Sequence, residues 1–376
     1  NSKLTPNDDV TLIWKNNQGL TFEKIIKIDN QYLFTIEQKI KNSSDKIYSF
    51  YPYAQIIRTK IPEIIDFFIL HEGPLGVLDD QLIEKDYKDI LDKKYSKNAN
   101  NGFLGITDKY WLTSIIPQKN KKFRADFEYN EKFKVNYIET DSYDSKPNAQ
   151  ISNIVNVVVA AKEVNVIDGY NESLGLKKFD LVIDWGWFYW IVKPLFFLND
   201  YFFKLAGNYG IAIILITVCL RLAFFPLNNY AFKSMSRMKL VQPEMARLKE
   251  IHKDDKMKLQ QAMMQLYKKE GINPVSGCLP ILISIPFFFA IYKMLFVTIE
   301  MRHQPFFGWI KDLSEKDPTS IFNLFGLIPW DPPSFMIIGA LPVMMGFTMW
   351  LQQELNPAPQ DEICLLYTSD AADELC

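Results

Sequence analysis

Arg221 is the residue whose setting most clearly requires a chemical explanation, because it interrupts an apolar run over residues 210–226 that is about long enough to cross a bilayer. Arginine at the centre of a membrane helix costs about 2.5–3.5 kcal/mol on insertion scales, so a charge there indicates a functional site. The alternative is that Arg221 lies near one end of the span and extends its guanidinium to the lipid headgroups. This segment alone leaves both interpretations open.

Side chains that commonly carry catalysis offer little in this sequence. His71 is the only histidine in the first 165 residues, and its neighbour Glu72 would point to the opposite face of an extended segment, so a structural or surface role is favoured for His71. Nothing brings two of the abundant carboxylates there together for acid–base work. No metal-ligand spacing relates the cysteines, which are Cys219, Cys278, Cys364 and Cys376. We therefore predict no catalytic residue, cofactor or metal.

The elements that position Arg221 belong to a chain of two unlike parts. Mean hydropathy of −0.07 and 23% charged residues resemble a soluble protein only because a polar first half is averaged with an apolar second half. Residues 122–129 and 33–40 alternate apolar and polar side chains, as half-buried strands do, and residues 154–159 indicate a more buried strand. Turn-forming clusters separate these segments. We predict an antiparallel β-sandwich over residues 1–165.

Aromatic side chains crowd together where the polar half ends. Trp185, Trp187 and Trp190 precede an apolar stretch that a lysine and a proline interrupt. Tryptophan concentrates at the headgroup level of membranes, and these breaks favour a helix that lies on the bilayer over one that crosses it. We interpret residues 166–207 as a linker and an interfacial amphipathic helix. The alternative is a buried aromatic helix packed on the β-domain.

Three segments have about the twenty apolar residues that a membrane helix requires: residues 208–228, 278–298 and 334–352. The connecting segment 229–277 carries ten lysines and arginines, against three in residues 299–333. Lys and Arg accumulate in the cytoplasmic loops of membrane proteins. We therefore place the basic segment in the cytoplasm, and the β-domain and the second loop on the opposite side.

The basic segment is itself structured. Methionine and leucine recur at helical spacing on both sides of the turn-like residues 252–255, which predicts a helical hairpin with a methionine-rich core over residues 229–277. Methionine suits adaptable binding surfaces, and the basic face could meet anionic lipid or ribosomal RNA. The alternative is an ordinary amphipathic hairpin with a solvated face. Candidate contact residues are Arg237, Lys239, Met245, Arg247, Lys249, Met263 and Met264.

Eight short phrases along the chain carry a resemblance to one family. They occupy residues 70–77 (LHEGPLGV), 105–111, 179–188 (FDLVIDWGWF), 220–227 (LRLAFFPL), 263–270, 273–280, 302–309 and 312–318. Each phrase alone is weak, but their number and order are specific. The chain resembles the YidC/Oxa/Alb family of membrane protein insertases, and the resemblance extends nearly to Pro357.

The resemblance implies a periplasmic antiparallel β-supersandwich, an interfacial helix, a cytoplasmic helical hairpin and a multi-pass α-helical bundle in the bacterial inner membrane. The bundle would enclose a polar groove open to cytoplasm and lipid, lined by Arg221, with Thr217 one turn earlier on the same helical face. The implied function is that of an insertase and chaperone for nascent membrane proteins, alone or with the Sec translocon, and not that of an enzyme. The hairpin would meet the ribosome, the signal recognition machinery or substrate. Bilayer phospholipids are implied partners, and DNA is not.

Two features depart from the family pattern. The family has an N-terminal membrane anchor and two further membrane helices at the C-terminal end, and neither is found in this sequence. Residues 353–376 are predicted to be a truncated tail, artefactual from about residue 364, so we expect a fragment with an incomplete groove. Two rival interpretations stay open. One is a membrane-anchored periplasmic carbohydrate enzyme or binding module, and the other is a channel or secondary transporter, which would also explain Arg221.

Overall fold

The computed structural model describes residues 3–62, 70–253, 255–271, 279–315, 317, 319–328, 330, 333 and 338–355. The chain forms two compact units. The β-unit comprises residues 1–189 and 293–300, and the helical unit comprises residues 190–292 and 301–376. All of the described strands lie in the β-unit. The predicted order, a β-sandwich-like domain followed by a helical region, is therefore confirmed.

Antiparallel strands build two facing sheets in the β-unit. The described strands are β1 (Val10–Lys15), β2 (Leu20–Ile28), β3 (Leu33–Asn42), β4 (Tyr48–Phe50), β5 (Tyr53–Arg58), β6 (Gly73–Leu78), β7 (Gln81–Glu84), β8 (Tyr95–Ala99), β9 (Gly102–Thr107), β10 (Trp111–Ile116), β11 (Phe123–Asn130), β12 (Lys132–Glu139), β13 (Tyr143–Ser145) and β14 (Gln150–Ala161). The larger sheet has the order β1-β2-β3-β14-β10-β9-β6-β7, and the smaller has the order β5-β12-β11-β8. A short ribbon pairs β4 with β13.

The two sheets share one apolar core. The larger sheet contributes Leu104 and Ile115, and the smaller sheet contributes Phe123 and Phe127. In β11 the buried aromatic residues alternate with polar ones along the part of the strand that packs on the larger sheet. Successive side chains of a strand point to opposite faces, which is why the period of two in residues 122–129 predicted this strand.

The described helices are α1 (Tyr87–Asp92), α2 (Val164–Ser173), α3 (Tyr189–Ala206), α4 (Tyr209–Ile251), α5 (Lys256–Glu270), α6 (Leu279–Val297) and α7 (Ala340–Leu355). The side chain of Asn208 begins α4 by accepting a hydrogen bond from the Ile211 N–H at 3.1 Å. α4 then runs without interruption for 43 residues, past residue 228, where the first predicted span ends. Pro226 removes one backbone donor inside α4 but does not end it.

One described helical segment, Tyr209–Met238, is long and apolar enough to cross a membrane. The described apolar part of α6, Leu282–Val297, is shorter, and α7 has 16 residues. Residues 272–278 and 334–337, which include the starts of the second and third predicted spans, lie outside the described residues. Those two spans stay predictions.

Candidate functional site in the helical unit

Arg221 lies in the membrane-length part of α4 with its side chain exposed. Within the described part of the chain, no carboxylate forms an ion pair with its guanidinium. Its neighbours on the helix surface, Val218, Leu222 and Phe225, are apolar and exposed. An unpaired guanidinium in an apolar environment is costly. Contact of Arg221 with a carboxylate or with water at this surface therefore lowers the free energy of both groups.

Thr217 lies one helical turn before Arg221, and its side chain is also exposed. Its hydroxyl donates a hydrogen bond to the Ile213 carbonyl oxygen at 2.9 Å. Because a threonine hydroxyl has a single proton, Thr217 then offers a further partner only the acceptor lone pairs of Oγ1. The two predicted groove residues therefore share one face as a cationic donor beside a neutral acceptor.

A buried stripe on α4 determines where this face points. Ile216 and Ala231 are buried, and the Phe224 ring packs edge-on against Phe287 of α6 with 5.0 Å between centroids. At 3.6 residues per turn, Arg221 lies about 60° around the helix from Phe224. The cation therefore borders the contact between α4 and α6 and does not point into it.

α4 and α5 form a helical hairpin with a methionine-containing core. The core consists of Val241, Met245 and Tyr267, with Met238, Met263 and Leu266 packed against them. The Asp255 side chain begins α5 by accepting a hydrogen bond from the Lys258 N–H at 3.1 Å. Gly271, with a φ of 61°, ends the helix in the left-handed conformation that glycine adopts without strain.

The structure separates the predicted contact residues of the hairpin into two groups. Met245 is 2% exposed, so its assignment as a contact residue is wrong. It lies one turn after Val241, on the stripe that faces α5, and burial in the core uses its side chain. Met263 packs against the same core and is only partly accessible. The exposed candidates are Arg237, Arg247, Lys249 and Met264, whereas the Lys239 side chain lies outside the described residues.

The three tryptophans predicted for the interfacial helix differ in their exposure to solvent. Trp185 precedes α3 and is 2% exposed, and its indole N–H donates to the Asp180 carbonyl oxygen at 3.1 Å. Its placement on an interfacial helix is therefore wrong, because a local turn buries the ring and satisfies its polar atom. Trp187, immediately before α3, is 97% exposed, and Trp190, in the first turn of α3, is also exposed. These two retain the amphipathic exposure that an interfacial role requires.

Sequence reasoning missed a second cation in an apolar helix. Lys293 is the only charged residue of α6, and its Nζ lies 2.9 Å from Asp184 Oδ2 within the β-unit. Like Arg221, Lys293 is a charged residue inside an apolar run, so the same sequence criterion applies to it. Its partner could not be predicted, since Asp184 lies far away in the sequence.

The fold and the site together define a membrane protein that joins a folded β-sandwich domain to helices, one of them of membrane length with an arginine on its exposed face. Two family models match this division. One, described as YidC periplasmic domain, matches residues 1–198, and the other, described as 60Kd inner membrane protein, matches residues 201–370. The chain belongs to the YidC family. It is an inner membrane protein, and its β-domain is periplasmic.

Curated relatives agree with this assignment. The chain is 65% identical over 363 residues to the membrane protein insertase YidC of Pelagibacter ubique, covering 96% of this chain and 65% of the relative. It is 48% identical over 379 residues to the insertase of the same name from Nitrobacter hamburgensis, covering 95% of this chain and 62% of that protein. The chain thus spans less than two thirds of the length of these relatives.

Among solved structures, the chain is similar to an active YidC insertase whose first transmembrane domain is resolved. The identity is 18%, the match covers 82% of this chain and 60% of that chain, and the TM-score is 0.33.

Proposed function

We propose that this chain supplies the periplasmic domain, the polar groove and the cytoplasmic hairpin of a membrane protein insertase. The single observation that supports the groove is the Arg221 guanidinium, which is exposed on a membrane-length helix beside the Thr217 hydroxyl without a carboxylate partner among the described residues. Insertion changes no covalent bond in the substrate. The task of the groove residues is therefore to lower the free energy of polar segments in transit.

A comparison of free energies favours this role for Arg221. An acidic side chain at the centre of a membrane helix costs about 2.5–3.5 kcal/mol. A carboxylate about 4 Å from a guanidinium gains about 4 kcal/mol at an effective dielectric constant of about 20. Pairing with Arg221 thus offsets the cost of one acidic residue while a nascent segment crosses. Burial of the segment's own apolar side chains in lipid, about 25 cal/mol per Å², then drives it out of the groove.

The hairpin supplies the proposed contacts to the machinery that delivers substrates. Arg237, Arg247 and Lys249 present exposed positive charge on α4, and Met264 presents an exposed apolar side chain on α5. A surface of this composition suits ribosomal RNA, the signal recognition machinery or a nascent segment. The Sec translocon is a further proposed partner, which rests on membership of the family alone.

The proposal is tested in a chimera, in which this chain replaces the matching residues of the Pelagibacter ubique relative in a host depleted of its own insertase. Two reporters are compared, whose membrane segments differ by one aspartate. We expect Arg221→Ala to reduce insertion of the aspartate reporter by about tenfold and to spare the other, with Arg221→Lys close to the parent. Leu222→Ala is the matched control for an exposed position on the same helix.

An inactive parent chimera that is expressed and correctly inserted would contradict the insertase assignment. Equal insertion of both reporters by the parent and Arg221→Ala would contradict the role of Arg221 and favour a guanidinium that extends to the headgroups.

A further inference from the structure

The loop that follows α6 touches the start of α4, and both lie in the helical unit. Gly210 is in the first turn of α4, and a Cβ added there would overlap the Phe306 ring, so the ring lies directly against the helix backbone. The Asn208 side chain, which begins α4, also donates a hydrogen bond to the Phe306 carbonyl oxygen at 3.4 Å. Glycine is the one residue without a Cβ, so the close approach of this ring depends on it.

Hydrogen bonds close the loop that carries this ring. The Asp312 carboxylate accepts from the His303 backbone N–H at 3.0 Å, and its other oxygen lies 2.8 Å from His303 Nδ1. Inside the loop, the Phe306 N–H donates to the Ile310 carbonyl oxygen at 3.0 Å. Residues 303–312 are thus a compact clasped loop, whose ends are joined by a side chain. The backbone that carries the Phe306 ring is therefore held in one shape.

A second ring contact restrains α4 further along its length. The Phe224 ring packs against Phe287 of α6 with 5.0 Å between centroids. Gly210 and Phe224 are about 21 Å apart along the helix axis, and the sequence has no proline between them. Arg221 lies in the uninterrupted segment that these two contacts delimit. Two contacts at separate levels restrict both the sliding and the tilting of α4 against α6 and the clasped loop, whereas one contact alone would leave the helix free to pivot.

The spacing along α4 also predicts the level of Arg221 in the bilayer. The chain enters α4 from its periplasmic domain, so the start of α4 marks the periplasmic side. From Gly210 to Arg221 the helix rises about 16 Å, which is half of the roughly 30 Å hydrocarbon thickness. A start of α4 at the edge of the hydrocarbon would therefore place the guanidinium near the middle of the bilayer, where an acidic side chain of a substrate is most costly.

From these observations, we propose that Phe306 is a positioning residue for the groove. Its contact with Gly210 sets the axial register of α4 against α6, and this register holds Arg221 near the middle of the bilayer. The inference rests on the proposed role of Arg221 and adds the contact that places it. Filling of space alone would be served by any apolar side chain at residue 306 and would not require a residue without a Cβ at residue 210.

The test measures the register of α4 in the full chain in lipid nanodiscs. Nitroxide labels are placed on the exposed Cys219 of α4 and on Leu282→Cys of α6, with the other cysteines replaced by serine, and their separation is measured by double electron–electron resonance. Carbon atoms in contact need about 3.5–4.0 Å of separation, so we expect Gly210→Ala to change the label separation by about 2 Å. In the Phe306→Ala background the same substitution should have no effect, because the ring that it displaces is absent.

In the chimera, Gly210→Ala should reduce insertion of the aspartate reporter about threefold and spare the other reporter, with no further loss in the Arg221→Ala background. Gly346→Ala is the matched control, since an added Cβ there meets no atom of the described residues within 4 Å. Phe306→Leu keeps an apolar side chain and should broaden the distribution of label separations, so the test does not depend on whether Gly210→Ala folds.

An unchanged label separation in Gly210→Ala, or the same change without the Phe306 ring, overturns the proposal. An unbroadened distribution in Phe306→Leu, or an equal loss for both reporters in Gly210→Ala, overturns it as well. Equal insertion of both reporters by the parent and Arg221→Ala would instead contradict the proposed function, and the label separations distinguish the two failures.

Discussion

The Glu300 carboxylate accepts a hydrogen bond from the Val164 backbone N–H at 2.7 Å, so a side chain from beyond the end of α6 caps the first turn of α2. Two further contacts hold the same segment in the β-unit. The Lys293 ammonium pairs with Asp184 at 2.9 Å, and the Lys109 ammonium lies 3.9 Å from the centroid of the Phe296 ring. Residues 293–300 are thus an integral part of the β-unit, although the preceding residues of α6 belong to the helical unit.

Loss of the Glu300 carboxylate should destabilise the start of α2. The first N–H groups of a helix have no partner inside the helix, and a capping carboxylate is worth about 1 kcal/mol. We expect Glu300→Ala to raise the rate of amide hydrogen exchange at Val164 about fivefold. Glu300→Gln, which keeps one carbonyl acceptor, should be close to the parent, and Glu315→Ala, at an exposed position, should have no effect. Equal exchange in the alanine and glutamine variants would show that the oxygen does not cap α2.

Removal of Lys293 should leave the Asp184 carboxylate without its cation. The two side chains are 12% and 20% exposed, so solvent screens the charge only in part. We expect Lys293→Met to destabilise the β-unit by about 2 kcal/mol, less than the 3–5 kcal/mol typical of fully buried pairs. Urea unfolding followed by tryptophan fluorescence measures this change.

Asp184→Asn in the Lys293→Met background should recover part of the loss. The amide keeps an oxygen that can accept from the backbone N–H of His71, which donates to Asp184 at 2.9 Å, while the unpaired charge disappears. Strictly additive losses in this double-mutant cycle would show that the pair contributes no coupling energy.

Lys162 should make the stability of the β-unit depend on pH in the alkaline range. Its side chain is buried, with Nζ donating to Thr107 Oγ1 at 2.9 Å, and burial lowers its pKa to about 8. The unfolded chain, with a lysine pKa near 10.4, binds the proton more tightly than the folded chain in this range. Stability therefore rises with pH between about 8 and 10.4, by up to about 3 kcal/mol, and is lost again as the pH falls.

Lys162→Met isolates this contribution. The variant should show a smaller rise of unfolding free energy from pH 8 to pH 10 than the parent, in the same urea experiment. Other titrating groups affect both proteins alike and cancel in the difference. Parallel curves for parent and variant would mean that Lys162 has the same pKa in both states.

The two methionine environments of the hairpin should respond differently to truncation. Met245→Ala removes a core side chain and should destabilise the hairpin by about 2 kcal/mol, whereas Met264→Ala, at an exposed position, should leave stability unchanged. Binding of the purified chain to ribosomes that carry a nascent membrane protein should weaken for Met264→Ala. Equal unfolding midpoints for the two variants would contradict the described core.

The sequence predicted those features that local periodicity determines. The alternation around Phe123 and Phe127 identified β11, and the helical spacing of Met238, Met245 and Met263 identified the hairpin core. Periodicity reports which face of an element is apolar, but not what covers that face. For this reason Met245 was assigned to a partner although α5 buries it.

Features that depend on distant residues could not be predicted. The abundance of tryptophan at membrane interfaces predicts an interfacial Trp185. In the structure a local turn buries the ring, and the Asp180 carbonyl oxygen accepts the hydrogen bond of its indole N–H. The apolar sequence ends near residue 228, but the polar residues that follow also favour a helix. The end of the apolar run therefore did not predict the end of α4.

Because α4 continues past residue 228, its apolar part and its basic part form one helix. Arg221 and Arg247 lie on one uninterrupted helix, about 39 Å apart along its axis at 1.5 Å per residue. A rotation of the helix about its axis at Arg247 also changes the direction of the Arg221 side chain, since both residues belong to the same helix. Pro226 and Pro243 each remove a backbone hydrogen bond, so bending of the helix concentrates at those two points. The orientations of the two guanidinium groups are therefore coupled through the helix, except for bending at the two prolines that lie between them.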